Sequence, residues 1–196
     1  MRTILLTTLF LISITSNAQE TMNKTSTYET IPDAPENFTP GAVVSRVIDG
    51  LGFRYYWASE GLTDEDLKYA PGNKGRSIEE TIDHIYGLSK TILNTAKNLP
   101  NIRSVGAEKM TARQQRVKTL KNLKEASEIM LASNDLNKHN VIYRTKNGDS
   151  TYPLWYILNG QIEDAVWHAG QLVVMRRSAG NPINSKVNVF QGRLNK

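Results

Sequence analysis

The sequence contains no cysteine. No disulfide can staple it, no zinc–thiolate site can form, and no thiol nucleophile is available. The same absence removes the modified cysteine that a lipoprotein anchor needs. No glycine-rich phosphate loop, nucleophile elbow or dinucleotide fingerprint occurs. Histidine is scarce, with three residues in all, so imidazole chemistry rests on His84, His139 and His168. The net charge of +5 is not accompanied by interleaved aromatics or a recognisable nucleic-acid motif. The excess lies mainly in Lys109–Lys124 and the C-terminal tail, and reads as a solvated helix face, with no nucleic-acid partner expected.

The chain has 196 residues, with 22% charged and 39% hydrophobic, which suits one soluble domain with a core of its own. Its first 18 residues stand apart. Met1-Arg2 gives a basic start, an apolar stretch from Ile4 to Ile14 follows, and Ser16 and Ala18 are small residues suited to a peptidase. The apolar stretch is too short and too interrupted by threonine and serine for a membrane span. Residues 1–18 are therefore expected to be a signal peptide, leaving an exported periplasmic or secreted protein with no membrane anchor. Loss of Arg2 lowers the charge from +5 to +4. Residues 19–38, with Pro32 and Pro35, read as a flexible leader, ordered only where it packs.

Four helical patterns follow. The first begins at the Thr39-Pro40 cap and carries Val43, Val44, Val47, Ile48, Leu51, Tyr55 and Tyr56 at spacings of three and four, to about Gly61. Residues 62–67 form a polar connection with room for one helical turn. The second starts with the capping box Ser77-Ile78-Glu79-Glu80, carries Ile78, Ile82, Ile85, Leu88, Ile92 and Leu93, and stops before Pro100. The third starts with the box Thr111–Gln114 and carries Val117, Leu120, Leu123, Ile129 and Met130. Two β-prone runs, 141–145 and 150–152, flank Lys146-Asn147-Gly148-Asp149 and predict a hairpin. The fourth pattern runs from Pro153 to about Ala179, with Gly180 and Pro182 as stop signals. It is apolar over much of its circumference, which predicts the most buried helix, with Trp57, Trp155 and Trp167 filling the core. The tail, 183–196, reads as irregular. These elements predict an all-α, up-and-down four-helix bundle over 39–182, with a small β-hairpin before the last helix.

Asp164 and His168 lie four apart, so their side chains stack on one helix face. His84 offers a third group from the second helix. Two imidazoles and a carboxylate suit zinc, nickel, iron or manganese with positions left for water or substrate. A hydrogen-bonded triad without metal is the alternative, because a carboxylate and imidazole in apolar surroundings must be paired somehow. Gln171, three residues past His168, is placed to orient a ligand, or to make a packing hydrogen bond. Glu80 is explained by its cap. His139 has no sequence neighbour to act with and reads as a surface residue.

Trp167-His168-Ala169-Gly170-Gln171-Leu172-Val173, continuing to Asn181-Pro182, resembles the last-helix signature of the DinB-like (DinB/YfiT) superfamily. Thr81-Ile82-Asp83-His84-Ile85 resembles its second-helix histidine segment, and residues 62–67, Pro71 and 76–81 its first interhelix segment. The resemblance covers most of 40–182 and implies a four-helix bundle whose histidine triad binds a divalent metal. His84 and His168 match triad positions. Asp164 stands where the family usually has the other histidine of the last helix. Trp167 stands where many members have an additional histidine, which implies a more apolar pocket.

Two functions follow. One is a metal-dependent transferase or hydrolase acting on a small molecule, in which the metal lowers the pKa of a bound water or thiol. No residue stands out as its general base, and export argues against cytosolic thiol cofactors. The other is a non-catalytic, metal-free, exported binding or stress-associated protein, a homodimer, in which the triad is a structural hydrogen-bond network.

Overall fold

The computed structural model describes residues 27–72, 74–102 and 109–196. The signal peptide expected over 1–18 lies outside the described residues. Helix α1 spans Pro40–Ser59, α2 Asp64–Lys68, α3 Ile78–Ala96, α4 Ala112–Leu131 and α5 Glu163–Ser178. Strands β1 (Asn101–Ile102), β2 (Asn140–Thr145) and β3 (Gly148–Pro153) form one sheet, and β4 (Val187–Asn188) pairs with β5 (Arg193–Leu194) within the tail. No helix among the described residues is long and apolar enough to cross a membrane.

Side-chain caps set the helix starts. Thr39 accepts from the Ala42 N–H ahead of Pro40. Ser77 and Glu80 close one capping box at α3, Thr111 and Gln114 another at α4. A third, Thr63 with Asp66, starts the short α2 in the connection where one turn was expected. Each satisfies N–H groups that a helix start leaves orphaned.

The long helices pack α1 against α4, α4 against α3, α3 against α5, and α5 against α1. Ile48, Leu51, Phe53, Tyr55, Ile78, Ile82, Ile85, Ile92, Leu123 and Met130 lie buried between them. The most enclosed helix is α1 and not the last one, as its apolar composition had predicted. Trp155 and Trp167 are 73% and 72% exposed, and only Trp57 joins the core. Val43, Val47 and Val117, expected inside, face solvent. Composition shows how apolar a helix is; only packing decides which of its sides is covered.

The last helix also begins differently. Pro153 ends β3, and Ile157–Ile162 forms wide π-type turns before α5 proper. Such segments occur as local insertions in α-helices and favour functional sites. The predicted hairpin is present, with Thr145 opposite Gly148, but β1 adds to it in parallel to make three strands. His139 corrects its expected exposure: it is buried, with Nδ1 3.0 Å from the Ala96 carbonyl and Nε2 2.8 Å from Ser133 Oγ. It ties the end of α3 to the end of α4.

The described part of the leader is docked. Tyr28 is buried and its hydroxyl donates to Asp49 Oδ1 at 2.8 Å. Burial, then the Asp49 charge, pushes that phenol far above its ordinary pKa. The ring rests on Gly52, where an added Cβ would fall 2.4 Å from it. Trp57 Nε1 donates to the Glu29 carbonyl, and the Ile31 N–H to the Gly192 carbonyl. The tail, read as irregular, thus holds a two-stranded ladder in contact with the leader.

Candidate metal centre

His84 projects from the middle of α3, and Asp164 and His168 from successive turns of α5. Because α3 packs on α5, the three meet. One donor atom from each lies within 4.8 Å of the others. Asp164 bridges the rings: Oδ2 is 3.1 Å from His84 Nε2, and Oδ1 is 3.2 Å from His168 Nε2. The two imidazoles stand edge to face, with centroids 4.6 Å apart and an interplanar angle of 88°. The sequence-predicted residues are therefore together, but not deep inside. Their side chains are 31%, 42% and 13% exposed for His84, Asp164 and His168. The expected apolar interior is instead a rim, open to an ion and to solvent.

Gln171 lies where its spacing predicts, with Oε1 2.8 Å from His168 Nδ1. An amide oxygen only accepts, so this contact takes the Nδ1 hydrogen and turns Nε2 toward Asp164. Nε2 faces a carboxylate oxygen at 3.2 Å. A ring nitrogen and a carboxylate oxygen at that distance are joined through a proton or a metal ion. The donor set fits a divalent ion on this ground: imidazole nitrogens and a carboxylate oxygen, one ring oriented by an outer partner.

Sequence reasoning gave no role to Arg76. Its Nη1 lies 3.5 Å from His168 Nε2, at the outer edge of hydrogen-bond range. Arg76 sits in the loop ahead of α3, inside a segment noted only for resemblance. Only the tertiary fold brings it across 92 positions to His168. Beside it opens a cavity of about 740 Å³ between that loop and α5, bordered by Trp167, His168 and Gln171.

A second polar cluster sits at the other end of α5. Arg176 is buried and donates to the carbonyls of Trp57, Ala58 and Asn181 and to Asn181 Oδ1. Asn181 Nδ2 donates to the Gly61 carbonyl and to Asp66 Oδ2, the latter at 2.7 Å. Burial alone would raise the Asp66 carboxyl, but bonds from the Thr63 N–H, Asn181 and the Thr63 hydroxyl, with the Arg176 charge, hold it below the ordinary carboxylate value.

A family model described as the DinB family matches residues 54–186. No curated protein and no solved structure gives a match. The matched span holds His84, Asp164, His168 and Gln171, and it covers more than half of the sequence: the chain belongs to the DinB family.

Proposed function

We propose that this chain is an exported four-helix bundle of the up-and-down type that holds a divalent metal ion through His84, Asp164 and His168 and serves as a metal-dependent transferase or hydrolase of a small molecule. The observation that carries this is the meeting of His84, Asp164 and His168, with the His168 ring oriented by Gln171 and its Nε2 3.2 Å from Asp164 Oδ1. A bound ion supplies Lewis acidity at that point. Zinc, nickel, iron and manganese are all compatible with the donors. Asp164 in place of a third imidazole adds a negative charge and favours a harder ion than an all-histidine set would.

The chain's own groups do the rest. Asp164 neutralises part of the ionic charge, Gln171 orients the His168 ring, and partial exposure leaves room for a substrate beside the triad. Residues 1–18 support export through their basic start and short apolar run.

The test is metal analysis of the purified protein, followed by thermal melting with and without added zinc. One equivalent of metal is expected, lost in His84→Ala and His168→Ala. An ion a hundred-fold above its Kd should stabilise the intact protein by about 2.7 kcal/mol. A metal-free protein that zinc leaves unaffected removes this reading.

A second reading has one observation in its favour: Asp164 already contacts both imidazoles, so the triad can close as a hydrogen-bond network. The protein is then a non-catalytic binding or stress-associated homodimer, with the exposed Trp155 and Tyr156 offering apolar surface for pairing. Sedimentation of the metal-free protein distinguishes a dimer from a monomer.

A further inference from the structure

The cavity beside the triad combines two features that point to one kind of ligand. Its wall is largely apolar: Pro71, Val166, Trp167, Val174 and Met175. Trp167 and Val174 are 72% and 60% exposed, so large apolar surface is left open to water. Surface of this kind, concave and edged by a few polar groups, marks small-molecule sites more often than it occurs by chance.

The polar edge is Arg76. It is exposed and makes no ion pair among the described residues. Among the described residues its one polar contact is the 3.5 Å approach to His168 Nε2. That nitrogen is also the one that would face a metal ion. A guanidinium and a divalent cation cannot share one lone pair, and they repel each other. An ion held by the triad would turn Arg76 from His168 toward the cavity it already borders. Asp164 is the only carboxylate in the triad, so the combined rim of ion and Arg76 is positive and attracts an anion.

We propose that this cavity binds an amphipathic carboxylate, its apolar body against Trp167 and Val174 and its carboxylate paired with the Arg76 fork next to His168. A planar fork matches a planar carboxylate in a way that a lysine ammonium does not. This names the substrate class for the site proposed above and rests on that reading only for the ion's part in freeing Arg76.

The test uses the full chain carrying Trp155→Phe, so that Trp167 is the exposed tryptophan left beside the buried Trp57 and the ligand-dependent change in fluorescence reports on the cavity, with calorimetry as a second measurement. Octanoate is titrated against octanamide, which lacks the charge, and acetate, which lacks the apolar body. Octanoate should bind about ten-fold more tightly than either, the size of one charge-assisted hydrogen bond. Arg76→Ala should abolish its advantage over octanamide, and Arg76→Lys should restore only part of it. Circular dichroism checks that both exposed-site variants stay folded.

Equal affinities for octanoate and octanamide, an unchanged preference in Arg76→Ala, or no saturable binding by either method overturns the proposal. Zinc binding is followed separately by competition with a chromogenic chelator. An Arg76-dependent preference in chelator-treated protein supports the cavity by itself, even where zinc fails to bind and the metal reading falls.

Discussion

The two ends of α5 carry polar clusters of opposite character. Near its start, Asp164 and His168 meet His84 in a partly exposed group held by side chain to side chain contacts. At its end, Arg176 is buried, and its donors go to backbone carbonyls of α1 and to Asn181. The second cluster is closed. Arg176 satisfies carbonyls that the end of α1 leaves without partners, and Asn181 passes the connection on to Asp66 at the start of α2. The first is open, with three ligand-type atoms within 4.8 Å of one another and Gln171 orienting the His168 ring. A buried network whose donors converge on backbone carbonyls holds a fold together. A partly exposed one whose imidazole nitrogens and carboxylate oxygens converge is suited to take up a cation.

The sharpest way to break this comparison is to exchange the expected sensitivities. Arg176→Met should destabilise by about 3 to 5 kcal/mol, since it strips a buried charge from partners left without replacement. His84→Ala, measured by the same denaturant unfolding without metal, should stay within about 1 kcal/mol, as expected for a partly exposed side chain. The reverse order would mean that the triad holds the fold and the Arg176 cluster does not.

A smaller effect sharpens the closed side. The Asp66 carboxyl has a folded pKa below its ordinary one. Its contribution is therefore fully present above the unfolded value, about 3.9, and is lost as pH falls through the lower folded value. Asp66→Asn should lower stability at neutral pH by about 1 to 2 kcal/mol and flatten the acid limb of the stability curve. An unaltered acid limb would remove Asp66 from the network.

The smallest expected effect lies on the open side. Gln171→Ala should weaken metal binding about ten-fold, the usual consequence of losing an outer partner of a ligating histidine. Melting of the metal-free variant should match that of the parent. A large loss of stability instead would make the Gln171 contact a packing bond.

Much of this was legible along the chain. Ser77 with Glu80 and Thr111 with Gln114 are local signals, since both halves of a capping box lie within one turn. The i, i+4 spacing of Asp164 and His168, and Gln171 three residues on, likewise follow from the helix repeat alone. Other features needed contacts over long separations. Tyr28 docks on α1 because Gly52 leaves space for a ring, and His139 is buried because the ends of α3 and α4 converge on it. Arg176 carried a faint signal, a charge at the end of the apolar run Leu172–Met175. Arg76 carried none beyond its place before a cap.

The sequence by itself determined where α1, α3 and α4 start, and that an imidazole and a carboxylate stack one turn apart, because those properties depend on neighbours within four positions. Tertiary structure alone decided that α1 is enclosed while Trp155 and Trp167 face water, that His84 reaches the α5 pair at the rim, and that Arg76 arrives beside His168. Each of those depends on how whole helices pack, and packing is settled by the fit of all faces at once.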